Sequence, residues 1–379
     1  MDFTLTEDQR MIRDMVKDFA QREIAPRAAE IDRSGAFPVD IFKQMAELGL
    51  MGLPIPEEYG GAGADYLSYC LALEEITRAC GSTGLGYEAH ISLGCMPIYL
   101  FGTEEQKQEY LPLLCSGESM GSFGLTEPNA GSDAGGTQTT ARLEDGAWII
   151  NGSKCYITNA SFAKFVTITA VTDKGKGTRG ISAVIVPTGA PGFTVREGYE
   201  KLGLHGSNTT ELFFDNVRVP ESNLVGVRGE GFKQFLVVLD GGRIAIGAMG
   251  VGIAQACLDA SVKYAKERVQ FGQPIGKFQA IQFKLADIAM NIELARLMYL
   301  KAAWLKDNGQ PYSREANCVK LFASEMATKA SLEAIQIHGG YGYIKEFPVE
   351  RYLRDAKLLE IGEGTSEVIR LVIARSLGL

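Results

Sequence analysis

Three short stretches of this 379-residue chain combine residue types that chemistry uses. LEIGEGTSE at 359–367 places Glu363 between Gly362 and Gly364, in a connection between two helical runs. A carboxylate drawn from such a connection into an apolar pocket has its pKa raised above about 4.3, which suits a general base. A solvated loop glutamate is the plainer reading of the same residues. FGLTEPNAGSDAGG at 123–136 is rich in glycine and small polar residues, so its backbone N–H groups can approach an anionic or flat polar ligand closely. The alternative there is a turn-rich linker. LDGGR at 239–243 lies inside an otherwise helical run. Each mid-helix glycine costs ~1 kcal/mol relative to alanine, so either a second helix packs closely or a ligand fills the space a side chain would take.

Composition narrows what these stretches can serve. Hydrophobic residues make up 46% and charged residues 22%, as in an ordinary globular protein. Lys plus Arg total 38 against 46 Asp plus Glu, a net charge of −8. That argues against nucleic acid as the main partner, while leaving room for a local basic patch facing an anionic small molecule. The three histidines (His90, His205, His338) are isolated, so no metal site is expected. The seven cysteines are scattered, odd in number and without CxxC, which reads as reduced thiols in a cytosol-like compartment. The N-terminus MDFTLTEDQR is too polar for a signal peptide, and the apolar run Ile244–Ala254 is too short to span a membrane. Rossmann, P-loop and hydrolase-elbow folds are not expected.

The elements that must position these stretches fall into three blocks. Residues 1–119 read as a helical domain. Thr6 with Gln9 and Thr103 with Gln106 form capping boxes, and further helices run over Val39–Leu48 and Tyr66–Cys80. Residues 120–226 carry short β-branched and aromatic runs, such as Trp148–Ile150, Cys155–Thr158, Phe165–Val171, Ile181–Val186 and Leu212–Phe214, separated by turns. Residues 227–379 return to long helices: Gly231–Glu267, Lys277–Asn308, Ser313–His338, Pro348–Leu359 and one from Ser366. The expected fold is α+β and mainly α, with an N-terminal helical domain, a middle antiparallel β-barrel and a C-terminal four-helix bundle.

The phrases LTEPNAGSDAGG, INGSKCYITNAS, LDGGRIAIGAMG, ERVQFGQPIGKFQAIQFKLAD, QIHGGYGY and YLRDAKLLEIGEGTSEVIRLVIAR occur in that order. With the helix–β–helix layout, they make the chain resemble the acyl-CoA dehydrogenase family over essentially its whole length. The resemblance implies one FAD per subunit, an acyl-CoA substrate, electron-transferring flavoprotein as the electron acceptor, and a homotetramer. It implies a flavin wrapped by Phe123, Leu125, Thr126, Gly131 and Ser132, with Ser132 also near substrate. Tyr156, Ile157 and Thr158 would cover the other face of the ring. Arg268, Phe271, Gln279, Gln336, Gly339 and Gly340 would reach the adenosine and pyrophosphate part across a subunit interface. Thr365 and Glu367 would close over the flavin after the catalytic Glu363. Asp240, Gly241, Gly242, Arg243, Gly362 and Gly364 would line the acyl-CoA site.

Most straight-chain members of that family carry Tyr where this chain has Gly362. The isovaleryl-type members share the small residue, but place their base at the position matching Gly242. This chain joins the small residue to the late base. The expectation is a pocket with room beside the α and β carbons, Gly242 leaving the opposite wall open, and a short or branched acyl group as substrate. The implied pathways are fatty acid β-oxidation or branched-chain amino acid degradation, in the cytoplasm or, for a processed chain, the mitochondrial matrix. The competing readings are an oxygen-using oxidase or monooxygenase on the same fold and a non-catalytic CoA- or flavin-binding scaffold.

Overall fold

The structure, a computed structural model, describes residues 4–379; Met1–Phe3, at the start of the polar N-terminal stretch, lie outside it. Helix α1 (Glu7–Phe19) starts where the sequence places it. Thr6 Oγ1 accepts from the Gln9 N–H at 3.2 Å, and the Gln9 side chain accepts from the Thr6 N–H at 3.0 Å. Helices α2 (Ala28–Ser34) and α3 (Val39–Glu47) follow, and α4 (Tyr66–Ala79) is capped by Asp65, whose carboxylate accepts from the Ser68 N–H at 2.7 Å. The chain then stays helical through α5 (Gly81–Glu88), a π-helical segment over Ala89–Cys95, and α6 (Met96–Phe101). These segments are buried on nearly every side, so they lack the apolar-polar period by which helices are read from sequence. Helix α7 (Glu104–Cys115) repeats the capping box at Thr103 and Gln106.

The middle block is one sheet. Its strands are β1 (Phe123–Gly124), β2 (Thr140–Glu144), β3 (Ala147–Thr158), β4 (Phe165–Val171), β5 (Ile181–Pro187), β6 (Phe193–Glu197), β7 (Thr209–Pro220) and β8 (Leu224–Val225). They pair in the order β6-β7-β3-β2-β4-β5-β8, with β1 beside β4. The expected antiparallel barrel is corrected in two respects. The sheet is open, and β4 pairs parallel with both β1 and β2. Its core is an apolar cluster around Trp148, Ile150, Val166, Val184, Leu212 and Val217.

Two letter patterns that suggest other folds are disposed of by this topology. GKGTRG at 175–180 spells a dinucleotide fingerprint, but it joins antiparallel β4 to β5 through a 3-10 turn, and no helix follows it. GESMG at 117–121 spells a nucleophile elbow, yet Ser119 is fully buried and its hydroxyl is engaged by Met120 O and the Lys164 N–H.

Helix α8 (Gly231–Glu267) is the axis of the C-terminal block, packed by α4 on one side and by α9 (Gln279–Asp307) and α10 (Ser313–His338) on others. It is long and apolar enough to cross a membrane, which counting the uninterrupted run Ile244–Ala254 overlooked; 83% of its most apolar window is packed inside the fold, as in a core helix. A short ribbon of β9 (Val269–Gln270) and β10 (Gln273–Pro274) follows α8, and α11 (Val349–Leu359) and α12 (Ser366–Ser376) complete the chain.

Candidate active site

The turn between α11 and α12 places Glu363 with a backbone φ of 54°, left-handed and unfavourable for a side chain with a Cβ. Two cations hold it there. Arg243 Nε donates to the Glu363 carbonyl at 3.2 Å, and Lys320 Nζ donates to the Gly364 carbonyl. Arg243 is itself fixed by Asp240 at 3.0 Å, and Asn317 Nδ2 donates to the same Asp240 oxygen at 3.3 Å. The backbone of Glu363 is partly open, but both carboxylate oxygens are buried, and no N–H or hydroxyl group donates to them.

That carboxylate explains the second of the paired glycines in α8. A Cβ on Gly242 would stand 2.4 Å from Glu363 Oε2 and 2.8 Å from Oε1, and a Cβ on Gly241 would meet the Tyr66 hydroxyl at 3.4 Å. The space of the missing side chain is filled by the acid itself. The expectation that Gly242 leaves an open wall is therefore corrected. Gly362, in contrast, has room: a Cβ there would meet only Leu358 atoms, at 3.6 and 3.8 Å. Burial pushes the Glu363 carboxyl up to about 7, a rise opposed by a hydrogen bond from Glu88 and by the charges of Arg243 and Lys320. A carboxylate with this midpoint is half-ionised near neutral pH, the range in which a base for a carbon acid works best.

The loop after β1 lies next to this site through α8. The Phe123 ring is 3.9 Å from that of Phe235, and Phe235 precedes Gly242 by seven residues, about 10 Å along the helix. Leu125 and Thr126 are half-buried, Thr126 O accepting from the Cys155 N–H at 2.9 Å. Gly131 and Ser132 are exposed, and a Cβ on Gly131 would meet nothing within 4 Å. Beneath the loop, the buried Lys154 ammonium donates to Glu127 Oε1 at 2.7 Å and to Leu125 O and Thr169 Oγ1 at 3.1 Å each. A bulge between Lys154 and Ile157 turns Tyr156 outward, at φ 59° and 65% exposed, against Tyr199. Ile157 goes the other way, into the core of the sheet, so its side chain cannot cover a ligand as expected; only its backbone is placed to do so. Thr158 is half-buried beside it.

The third group gathers at the far end of α8. Arg268 lies over the Tyr341 ring at 5.4 Å, and with Gln270, His338, Gly339, Gly340 and neighbours it lines a cleft of about 490 Å³. Gln279 and Gln336 are exposed nearby in sequence, and Phe271 is 95% exposed at φ 51°. Phe235 and Arg268 are separated by 33 residues of one helix, about 50 Å. The loop after β1 and the Arg268 cleft of one subunit are thus too far apart to hold the two ends of one dinucleotide. Thr365, by contrast, sits beside the acid and caps α12, accepting from the Val368 N–H at 3.3 Å, with Glu367 exposed in the first turn.

The sequence matches the acyl-CoA dehydrogenase N-terminal domain over residues 6–118, the middle domain over 122–217 and the C-terminal domain over 229–378. The chain belongs to the acyl-CoA dehydrogenase family. It is 65% identical to the probable acyl-CoA dehydrogenase YngJ of Bacillus subtilis, covering 100% of both chains. It is 49% identical to the short-chain specific acyl-CoA dehydrogenase of Clostridium acetobutylicum, covering 99% of each. Among solved structures, butyryl-CoA dehydrogenase from Megasphaera elsdenii superposes with a TM-score of 0.98 at 45% identity, with full coverage of both chains.

On this acyl-CoA dehydrogenase fold, sequence reasoning missed two residues that crowd the acid. Lys320 is fully buried on α10 among Ala316, Val319 and Ala323, and a lysine in that apolar stripe was the available signal. Glu88 is 1% exposed at the end of α5, in a segment whose helix was not legible. Arg243, 6% exposed and committed to Asp240 and the Glu363 carbonyl, braces the acid.

Proposed function

We propose that this chain carries out FAD-dependent α,β-dehydrogenation of a short- or branched-chain acyl-CoA to the trans-2-enoyl-CoA, with Glu363 as the base. The observation that carries this reading is the Glu363 carboxylate, buried with no N–H or hydroxyl donor at its oxygens and seated on Gly242. An acid held this way is unsolvated and strongly basic toward a carbon-bound proton, and it takes the α-proton of the thioester. The negative charge that develops on the thioester oxygen needs a fixed donor. The Glu363 N–H donates to no acceptor among the described residues, so it is free to serve. FAD held beside Tyr156, Thr126 and Thr158 would supply the two-electron acceptor for the β-hydrogen.

The residues present fit that cofactor. The exposed ring of Tyr156, the open backbone at Gly131 and the hydroxyls of Thr126, Ser132 and Thr158 suit a flat polar ring system. Arg268 with Gly339 and Gly340, where a Cβ would meet nothing within 4 Å, suits a pyrophosphate. Electron-transferring flavoprotein is the electron acceptor of the reaction. Anaerobic bleaching of the yellow protein by butyryl-CoA, with slow reoxidation by oxygen, is the expected result. Fast reoxidation by oxygen would instead indicate an oxidase, and no bleaching a scaffold.

The length of α8 supports an FAD site shared between subunits of a homotetramer. Because one subunit cannot supply both ends of the FAD site, Arg268 and Gly339–Gly340 serve a neighbour's cofactor. Arg268→Ala is expected to weaken FAD binding by removing a charge-assisted contact, read by FAD content after dilution and gel filtration. A fully flavinated monomer would overturn the shared site.

Gly362 sets the acyl range. Its free volume lies next to the base and so beside the α and β carbons, which admits a methyl branch. Gly362→Tyr is expected to lower kcat/KM for isobutyryl-, 2-methylbutyryl- or isovaleryl-CoA relative to butyryl-CoA by roughly 10- to 200-fold. An unchanged ratio with FAD content intact would remove the case for branched substrates.

A further inference from the structure

A second carboxyl faces Glu363. Glu88, the last residue of α5, is 1% exposed, and its carboxyl lies within hydrogen-bonding reach of that of Glu363. Ser92, on the π-helical segment, donates its hydroxyl to Glu88 Oε1 and to Glu88 O, which fixes the side chain. Two carboxyl groups in contact in a buried site cannot both be anions, and their oxygens attract each other only through a proton. We propose that Glu88 is a positioning residue for Glu363: the two carboxyls share one proton, Glu88 donating, and this bond holds the base against Gly242 until substrate enters. The proposal rests on the reading of Glu363 as the base and extends it.

The surroundings agree with one negative charge on the pair. Tyr66 of α4 is neutral and has no partner for its hydroxyl. Arg243 of α8 is already matched by Asp240, and Lys320 of α10 also feels Glu360 and Glu325. Burial, and then the charge on Glu363, push Glu88 well above the ordinary carboxylate range. The pair therefore titrates in two steps, the lower near 7 and the upper beyond it.

Infrared spectra of the holoenzyme read the shared proton directly. At a pH just above the lower step near 7, wild type is expected to keep one protonated buried carboxyl, and Glu88→Gln to keep none. The acid limb of flavin reduction by acyl-CoA gives a second readout. Glu88→Gln, whose amide still donates, is expected to leave the limb near 7, whereas Glu88→Leu removes the donor and moves it up by about one pH unit or more. Ser92→Ala, which frees Glu88 from its anchor, is expected to move it the same way by less, and it carries the test if the Leu variant does not fold. No protonated carboxyl in wild type at that pH would overturn the proposal. So would a limb unmoved in Glu88→Leu, or in Ser92→Ala where that variant stands in. The infrared result does not depend on whether Glu363 is the base; turnover by Glu363→Gln would sink that reading alone.

Discussion

Glu363→Gln is expected to purify yellow, to bind acyl-CoA, and to lose flavin reduction by ~10²–10⁴-fold or more, the range set by removing a positioned general base. The amide is nearly isosteric, so it still fits the space over Gly242, and the contacts of Arg243 and Lys320 to the backbone are unaffected. What disappears is the ability to accept the α-proton. The pH dependence of the wild-type reaction should agree. Burial raises the Glu363 carboxyl to about 7, and a base must be ionised to act, so kcat/KM falls as pH drops below that value. Stopped-flow reduction with butyryl-CoA checks both statements. A Gln variant working at a tenth of the wild-type rate would exclude Glu363 as the base.

Lys154→Met is expected to destabilise the middle sheet by about 3–5 kcal/mol, because it strands a buried carboxylate. The Lys154 and Glu127 side chains are 0% and 4% exposed and 2.7 Å apart. Burial outweighs the attraction of Glu127 at Lys154, which lowers the ammonium to about 8, so the pair as a whole contributes little net stability. Losing one partner is a different matter: Glu127 keeps only its hydrogen bonds from the Gln138 and Thr139 N–H groups. The loop at Leu125 loses its tie to β3 in the same step, so FAD retention should fall as well. Trp148, 1% exposed in the sheet core, reports this unfolding by fluorescence once Trp304 is replaced by Phe. Adding Glu127→Gln to Lys154→Met should recover most of the loss. A single-variant cost below about 1 kcal/mol would mean that water or a local shift satisfies Glu127.

Much of the fold was legible because local rules dominate where elements are amphipathic or capped. The boxes at Thr6 and Thr103 start helices one residue later, and α8 and α10 begin and end at the residues expected of them. Strand β4 likewise coincides with its β-branched run. Helices α5 and α6 and the π-helical turn between them were not legible. GSTGLG has poor helix propensity, and complete burial removes the period that would reveal a helix, so tertiary packing alone keeps this segment helical. Glu88 was lost with it. The Cys155–Thr158 and Trp148–Ile150 runs proved to be one strand, β3, because a register shift between Ile150 and Gly152 breaks the alternation without breaking the pairing.

The order and spacing of the motifs by themselves determined the family, the three-block layout and the choice of Glu363, since those depend on which residues occur and in what sequence. Tertiary structure alone decided where each lies and what it touches. The two glycines of α8 were equally consistent with helix packing and with a ligand, and only the folded chain places the Glu363 carboxylate on Gly242, across 121 residues. The same holds for the cations. Arg243 and Lys320 look alike in sequence as helix residues, and become clamps on one turn because α8 and α10 converge beside it. A pKa is set by everything within a few ångströms of a buried charge, and sequence distance carries no information about that neighbourhood.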